Sequence, residues 1–224
     1  MARVAAVVGL ASEAAILRRA AGAHGVALTV RATGGRSAEL SPALDALLAS
    51  APDVLVSFGL AGALSGALAP GDALCPEAVI APGGDRLAVD RAWQTAVADA
   101  AGGHLVSGDI AGVDSPVTQP AAKVALASRT GAAGVDMESH AVAARAAGAA
   151  IPMLVLRAVA DGAGRAVPTV ALHLLDADGR IRWRALPRAV PHIRTLLALK
   201  RESARAHASL HPLADALMRA AAAR

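Results

Sequence analysis

Three acidic residues stand where the chain could present a carboxylate to a cleft. Glu13 falls in the first turn of a helix predicted from residue 12, and Glu138 near the start of a helix running to residue 147. Asp161 directly follows the strand predicted over residues 151–159, at the strand end where open α/β sheets bind ligands. Carboxylates can hold two hydroxyl groups at once or exchange protons, so these residues are candidates for binding or acid–base chemistry.

The elements that must position these acids follow a simple alternation. Apolar runs of strand length alternate with alanine-rich stretches of helical length, which predicts a three-layer α/β/α domain with a mixed, mainly parallel central sheet. The predicted strands cover residues 4–9, 26–32, 53–58, 73–80, 104–107 and 151–159, and the predicted helices cover 12–21, 37–49, 92–101, 121–128 and 135–147. A glycine-punctuated loop is predicted over residues 59–66. We assign residues 1–180 to this domain.

The remaining residues, 181–224, form an arginine-rich extension in which two helical stretches are predicted. Five apolar residues follow the i, i+3, i+4, i+7, i+8 spacing of one buried face: Leu210, Leu213, Ala214, Leu217 and Met218. Arg194, Arg201 and Arg205 share a helical face that is either solvated or a basic patch. The extension therefore either packs on the domain or faces a partner or a membrane surface.

Composition narrows the class of protein. The 224 residues suit one domain, and no stretch reaches the length of a membrane-spanning helix, so a cytoplasmic protein is expected. The lone Cys75 has a structural role, and the seven histidines lack metal-ligand spacing. The net charge of +4 suits anionic ligands, but no nucleic-acid motif or arginine–aromatic pattern accompanies it. A dinucleotide-binding reductase would need Gly-x-Gly-x-x-Gly after the first strand, which is missing.

Three segments together resemble the nucleoside phosphorylase and nucleosidase superfamily, especially its methylthioadenosine/S-adenosylhomocysteine nucleosidase branch. Residues 53–72 are similar to the family's strand, Gly-x-Ala-Gly loop and following Gly-Asp, with Gly59-Leu-Ala-Gly62 as the loop. Val135-Asp-Met-Glu138 resembles the family's Val-Asp/Glu-Met-Glu signature. Residues 155–162 are similar to the strand that ends in Ser-Asp, although Ala160 replaces the serine.

The resemblance implies a role for each candidate site residue. Glu138, helped by the backbone of Met137, would hold both ribose hydroxyls, and Asp161 would protonate or hydrogen-bond the imidazole ring of the leaving purine. Ala61 and Gly62 would lie beside the ribose and the nucleophile. Residues 105–113 resemble the strand leading to the base pocket, so Gly112 and Val113 would contact the base. The implied substrate is a purine nucleoside, and a homo-oligomer is expected.

The sequence leaves open whether water or phosphate is the nucleophile. Gly9-Leu-Ala-Ser-Glu13 resembles the acidic loop with which the family's nucleosidases position water, which favours hydrolysis with Glu13 as the catalytic residue. No metal or organic cofactor is implied, but phosphate as a co-substrate stays open. Four arginines could supply a phosphate site, in part across a subunit boundary: Arg18, Arg19, Arg31 and Arg36.

Apolar substitutions around the expected site indicate an unusual substrate. Leu60 stands where a serine is common, and a stacking aromatic is missing near Ala111 and Gly112. With the basic tail, these departures resemble the hopanoid-associated members of the superfamily, thought to release adenine from adenosylhopane. The resemblance therefore implies an adenine nucleoside with an apolar 5′ substituent, handled by a protein that could rest on the inner membrane surface.

Simpler interpretations remain for the same residues. Glu138 and Glu13 could be ordinary acids in the first turns of helices, and Asp161 a turn residue before Gly162. The two missing serines, replaced by Leu60 and Ala160, and the single glutamate of the acidic loop are also compatible with a relative that binds nucleosides without cleaving them.

Overall fold

A computed structural model describes residues 1–34, 37–167 and 193–224. Its described residues form one nine-stranded mixed sheet with helices on both faces. The strands are β1 (Val4–Val8), β2 (Leu28–Ala32), β3 (Val54–Ala63), β4 (Ala73–Leu74), β5 (Ala78–Ile80), β6 (Arg86–Ala88), β7 (Ile110–Gly112), β8 (Gly134–Asp136) and β9 (Met153–Asp161). The helices are α1 (Ala11–His24), α2 (Ser37–Leu48), α3 (Arg91–Ala100), α4 (Pro120–Thr130), α5 (Ser139–Ala149) and α6 (Ile193–Ala222).

The centre of the sheet is parallel. Strand β1 pairs with β2 and β3, and β3 pairs with β9 along nearly its whole length, from Leu55↔Met153 to Ala61↔Val159. All five residues of β1 and the first seven of β9 are buried, as expected for strands covered by helices on both faces. Because these strands run the same way, their carboxyl ends meet at one edge and bring Gly9, Gly62 and Asp161 towards each other.

The C-terminal helix completes one helical layer. Helix α6 packs against α1, α3 and β9, while α2 and α5 contact each other on the opposite side. Its predicted apolar face, from Leu210 to Met218, is buried in the main hydrophobic core. Arg205 is exposed. The apolar face is thus covered by the domain's own elements and is not free to rest on a lipid surface.

Four sequence predictions need correction. Strand β3 continues to Ala63, through much of the predicted glycine loop, because β9 and β8 pair with it there. Residues 104–107 form only the isolated bridge Leu74↔Val106, and the strand lies instead at Ile110–Gly112. Residues 134–136 pair as β8, so the helix begins at Ser139. The tail's two predicted helical stretches are one helix through residues 193–222.

Pro76 accounts for a further difference, since the strand predicted over residues 73–80 is split into β4 and β5 around it. Of the described helices, none has the length and apolarity needed to cross a membrane. Residues 35–36 and 168–192, which include the end of the assigned domain and the first part of the extension, lie outside the described part of the chain.

Candidate active site

A cavity of about 270 Å³ opens at the carboxyl ends of the central strands. Its walls come from the end of β3, from β8 and the two residues after it, from the end of β9, and from the loop before α4. The lining residues are Leu60, Ala61, Gly62, Val113, Pro116, Val117, Thr118, Val135, Asp136, Met137, Glu138, Ala160, Asp161 and Val167. The cavity thus combines three carboxylates with mostly apolar walls, the composition of a small-molecule site.

Glu138 stands at the N-cap position of α5 and is buried. Its Oε2 accepts a hydrogen bond of 3.3 Å from Nη2 of Arg157. Burial raises the pKa of Glu138 to about 7, and the carboxylates of Asp136 and Glu13 add to the rise against the opposing charge of Arg157. A group with this pKa changes between an acceptor of two hydrogen bonds and a neutral acid close to neutral pH.

Glu13 lies behind the cavity wall. It accepts hydrogen bonds from the backbone N–H groups of Leu10 at 2.8 Å and Leu60 at 3.2 Å, and burial raises its pKa. A Cβ added to Gly9 would lie 3.5 Å from Oε2 of Glu13 and equally far from Oε1 of Glu138, so the two carboxylates flank this glycine. Glu13 therefore sits next to the ribose-binding candidate, although it does not itself line the cavity.

Gly59 allows this arrangement. Its φ of 149° lies in a region that side chains rarely adopt, and a Cβ there would stand 2.8 Å from Oε1 of Glu13 and 3.0 Å from Nη1 of Arg157. The backbone of β3 can approach the charged groups only because residue 59 has no side chain.

Arg157, in the middle of β9, links the buried acids. Its Nη2 lies 2.6 Å from Oδ2 of Asp136, 2.6 Å from Oγ of Ser57 and 3.3 Å from Glu138, and only 1 % of its side chain is exposed. Asp136 is further bound by the hydroxyl and the backbone N–H of Ser139. One guanidinium thus faces the carboxylates of Asp136, Glu138 and Glu13, so among the residues that the structure describes, negative side chains outnumber positive ones at this end of the site.

Asp161 lies at the other side of the cavity and has a different partner. Lys123 forms an ion pair with its Oδ2 and donates a 2.8 Å hydrogen bond to the carbonyl of Gly162. Burial raises the pKa of Asp161, whereas the hydrogen bond and the charge of Lys123 act to lower it. Both oxygens of Asp161 lie 3.5 Å from where a Cβ on Gly62 would be, so Gly62 leaves room for the carboxylate.

The structure brings most of the predicted site residues together. Glu138, Met137, Ala61, Gly62, Val113 and Asp161 line the cavity, and Glu13 lies behind its wall. Gly112 does not line it, because the ring of His140 covers that position: a Cβ on Gly112 would stand 2.4 Å from Cβ of His140.

The arginines suggested for a phosphate site lie elsewhere. Arg18, Arg19 and Arg31 are exposed and are not among the lining residues, and Arg36 lies outside the described residues.

Two cations at the site were missed by the sequence analysis. Arg157 interrupts an apolar strand, and a charge within a buried strand requires partners, so its position carried a usable signal. The sequence signal for Lys123 was weaker. Of the 22 lysines and arginines in the chain, only Lys123 and Lys200 are lysines, so a lysine at this position is unusual.

Comparisons with known proteins identify the family of the chain and solved structures of similar fold. Residues 14–197 match the sequence model of the phosphorylase superfamily. The fold is similar to that of 5′-methylthioadenosine/S-adenosylhomocysteine nucleosidase from Colwellia psychrerythraea, solved with adenine, at a TM-score of 0.74, 15% identity, and coverage of 99% of this chain and 96% of that one. The fold is also similar to that of 5′-methylthioadenosine/S-adenosylhomocysteine nucleosidase from Campylobacter jejuni, with a TM-score of 0.73, 16% identity, and coverage of 100% of both chains.

A third similar structure is futalosine hydrolase from Helicobacter pylori, with a TM-score of 0.63, 19% identity, and coverage of 72% of this chain and 88% of that one. No curated protein sequence matches the chain. The solved structures establish likeness of fold, and the family match covers most of the chain. The protein therefore belongs to the phosphorylase superfamily.

Proposed function

We propose that this protein cleaves the N-glycosidic bond of an adenine nucleoside and releases adenine. The observation that carries the proposal is that Glu138 and Asp161, distant in sequence, line the same cavity. One carboxylate can hold a sugar's vicinal hydroxyls while the other serves the departing base, and a purine leaves readily only when a ring nitrogen is protonated or hydrogen-bonded. The nucleosidase of similar fold that was solved with adenine supports this choice of base.

Each site residue then has a defined role. Glu138, with the backbone of Met137, binds the ribose hydroxyls, and Asp161 serves the imidazole ring of the purine. Ala61 and Gly62 leave space beside the sugar, and Val113 packs near the base. Glu13 does not line the cavity, so in this proposal it acts beside Glu138 across Gly9, where it would orient an attacking water held between the two carboxylates.

We favour water over phosphate as the nucleophile. The described arginines that could have formed an anion site are exposed and away from the cavity, and Arg157 is already engaged by carboxylates. A phosphate ion beside Glu13 and Glu138 would meet like charge.

The apolar walls support a finer proposal, in which the 5′ position of the nucleoside carries a bulky apolar group, as in adenosylhopane. Leu60, Pro116, Val117 and Val167 offer hydrocarbon surface, and Thr118 adds one hydroxyl group to this part of the lining. Since the apolar face of α6 is packed inside the domain, membrane association through that face is not part of the proposal.

The test is incubation of the purified protein with methylthioadenosine and with adenosylhopane, each with and without phosphate, followed by assay of adenine and sugar phosphate. We expect phosphate-independent release of adenine and a higher kcat/KM for adenosylhopane. Asp161→Asn and Glu138→Gln should each slow turnover by roughly 100-fold or more. Sugar phosphate as product would overturn hydrolysis, and tight adenine binding without turnover would indicate a non-catalytic relative.

A further inference from the structure

Lys123 is buried at a position that helix energetics does not favour. It lies in the N-terminal part of α4, where the helix dipole opposes a positive charge, and the residue is buried. An ammonium group taken out of water is strongly destabilising unless a carboxylate and hydrogen-bond acceptors replace its hydration. The position of Lys123 therefore calls for an explanation beyond the stability of α4.

The explanation lies in the two contacts of its ammonium group. Nζ forms an ion pair with Oδ2 of Asp161 and donates a hydrogen bond of 2.8 Å to the carbonyl of Gly162. The Lys123 side chain is 1% exposed, whereas that of Asp161 is 17% exposed and lines the cavity. Lys123 thus approaches Asp161 from inside the protein and leaves the cavity side of the carboxylate to a ligand.

Orientation of Asp161 depends on this contact. The preceding residue, Ala160, has only a methyl group and cannot hydrogen-bond the carboxylate. Lys123 also binds the carbonyl of the following residue, so it fixes both the side chain and the adjacent backbone at the end of β9.

We propose that Lys123 is the positioning residue of the leaving-group site and that it supplies, through Asp161, the proton taken by the departing base; this rests on the proposed function. As the C1′–N9 bond breaks, its electron pair passes to the purine. A ring nitrogen of the purine takes a proton from Asp161, which takes one from Nζ of Lys123. The purine leaves neutral, and water adds to the positive C1′ of the sugar and gives up its second proton to solvent. Asp161 remains a carboxylate, and Lys123, left as a neutral amine, regains a proton from solvent by way of the partly exposed Asp161 after product release.

Lysine suits this role better than arginine. An ammonium can give up a proton, whereas a guanidinium stays charged in proteins. In a chain with 22 basic residues, most of them arginine, lysine occupies the position facing the acid of the cavity.

The experiment compares two leaving groups. Adenine needs a proton to leave from methylthioadenosine, whereas nitrophenolate leaves from 4-nitrophenyl riboside as a stable anion. We expect Lys123→Met to lower kcat on methylthioadenosine by about 100-fold or more, the usual size of general acid catalysis, and on the nitrophenyl riboside by less than about threefold. Lys123→Arg keeps the charge and should retain adenine binding without restoring adenine release.

A double variant distinguishes a loss of catalysis from a loss of folding. Lys123→Met with Asp161→Asn removes both charges and leaves no unpaired ion in the interior. If the two residues act as one unit, the double variant is no slower on methylthioadenosine than either single variant. Arg86→Met, which removes an exposed ion pair with Asp109, is the control and should keep both activities.

Three results would overturn the proposal: equal slowing of both substrates by Lys123→Met, which indicates a structural role; full adenine release by Lys123→Arg; or unchanged adenine release by Lys123→Met. If the unaltered protein releases neither adenine nor nitrophenolate, the proposed function fails and this inference fails with it. If the unaltered protein is active and Lys123→Met is equally active on methylthioadenosine, only the inference about Lys123 fails.

Discussion

The two sides of the cavity handle buried charge in opposite ways. Within the described part of the chain, the guanidinium of Arg157 faces three carboxylates around Glu138, those of Glu13, Asp136 and Glu138 itself. Around Asp161, one ammonium group faces one carboxylate. The first side carries an excess of negative charge, and the second is balanced.

The buried carboxylates on the two sides of the cavity therefore differ in what sets their protonation. Where carboxylates outnumber cations, burial and mutual repulsion raise the pKa of Glu138 to about 7, so that side can retain a proton near neutral pH. At Asp161, the charge and hydrogen bond of Lys123 lower the pKa of the carboxyl group and oppose the rise caused by burial. The proposed binding of ribose hydroxyls needs the ionised form of Glu138 and should therefore depend on pH near neutrality, whereas the proposed role of Asp161 depends on its contact with Lys123.

The largest loss of stability should follow removal of Arg157, the cation beside the three carboxylates. Arg157→Met leaves the buried carboxylates without a counter-charge, and breaking a buried pair typically costs about 3–5 kcal/mol of the free energy of unfolding. Urea denaturation monitored by circular dichroism measures this loss. Arg86→Met, whose ion pair is exposed, is the control and should change little. Equal stability of both variants would show that Arg157 does not balance the cluster.

A smaller effect is expected from the glycine between these groups. Gly59→Ala puts a methyl group 2.8 Å from the present position of Glu13 Oε1 and forces an unfavourable φ, a strain on the order of 1–3 kcal/mol. Thermal denaturation should show a lower Tm, and adenine release should fall because Glu13 and Arg157 must shift. Gly66→Ala is the matched control, since nothing lies within 4 Å of its added Cβ. A structure of Gly59→Ala with Glu13 unmoved would contradict the argument.

The excess of negative charge predicts a pH dependence of binding. Glu138 is ionised above pH about 7 and protonated below it, and only the ionised form accepts hydrogen bonds from both ribose hydroxyls. The affinity for a non-hydrolysable adenosine analogue should therefore fall as pH decreases below 7, approaching tenfold per pH unit at most. Isothermal titration calorimetry measures this fall. Glu138→Gln should remove it, and a fall of the same size for free adenine, which has no ribose, would assign it to another group.

The smallest change is expected in the pH midpoint of binding when one of the carboxylates around Glu138 is removed. Asp136→Asn removes one of the charges that raise the pKa of Glu138, so the midpoint of the binding profile should move to lower pH, by roughly one unit or less. The same calorimetric series measures this shift. Asp53→Asn, at an exposed ion pair with Arg3, should leave the midpoint in place. A midpoint that rises in Asp136→Asn would contradict the proposed origin of the shift.

Much of the fold was predictable because its signals are local. The buried run of β1, the apolar strand β9 and the amphipathic face of α6 each show their periodicity within a few residues. The limits of β3 and β7 were not predictable in this way. Gly59 to Gly62 reads as a loop, and it extends β3 only because β9 and β8 offer backbone hydrogen bonds at that point.

The α/β architecture, the family resemblance and the identity of the acids that could act were predictable from the amino-acid sequence, since these depend on residue types and short-range patterns. The packing of the folded chain places Glu138 and Asp161 on one cavity, covers Gly112 with His140 and gives each of the two acids a buried cation. Lys123 and Asp161 are 38 residues apart, and such partners follow from how strands and helices pack. The pKa values depend on the same packing, because burial and the distance between charges set them.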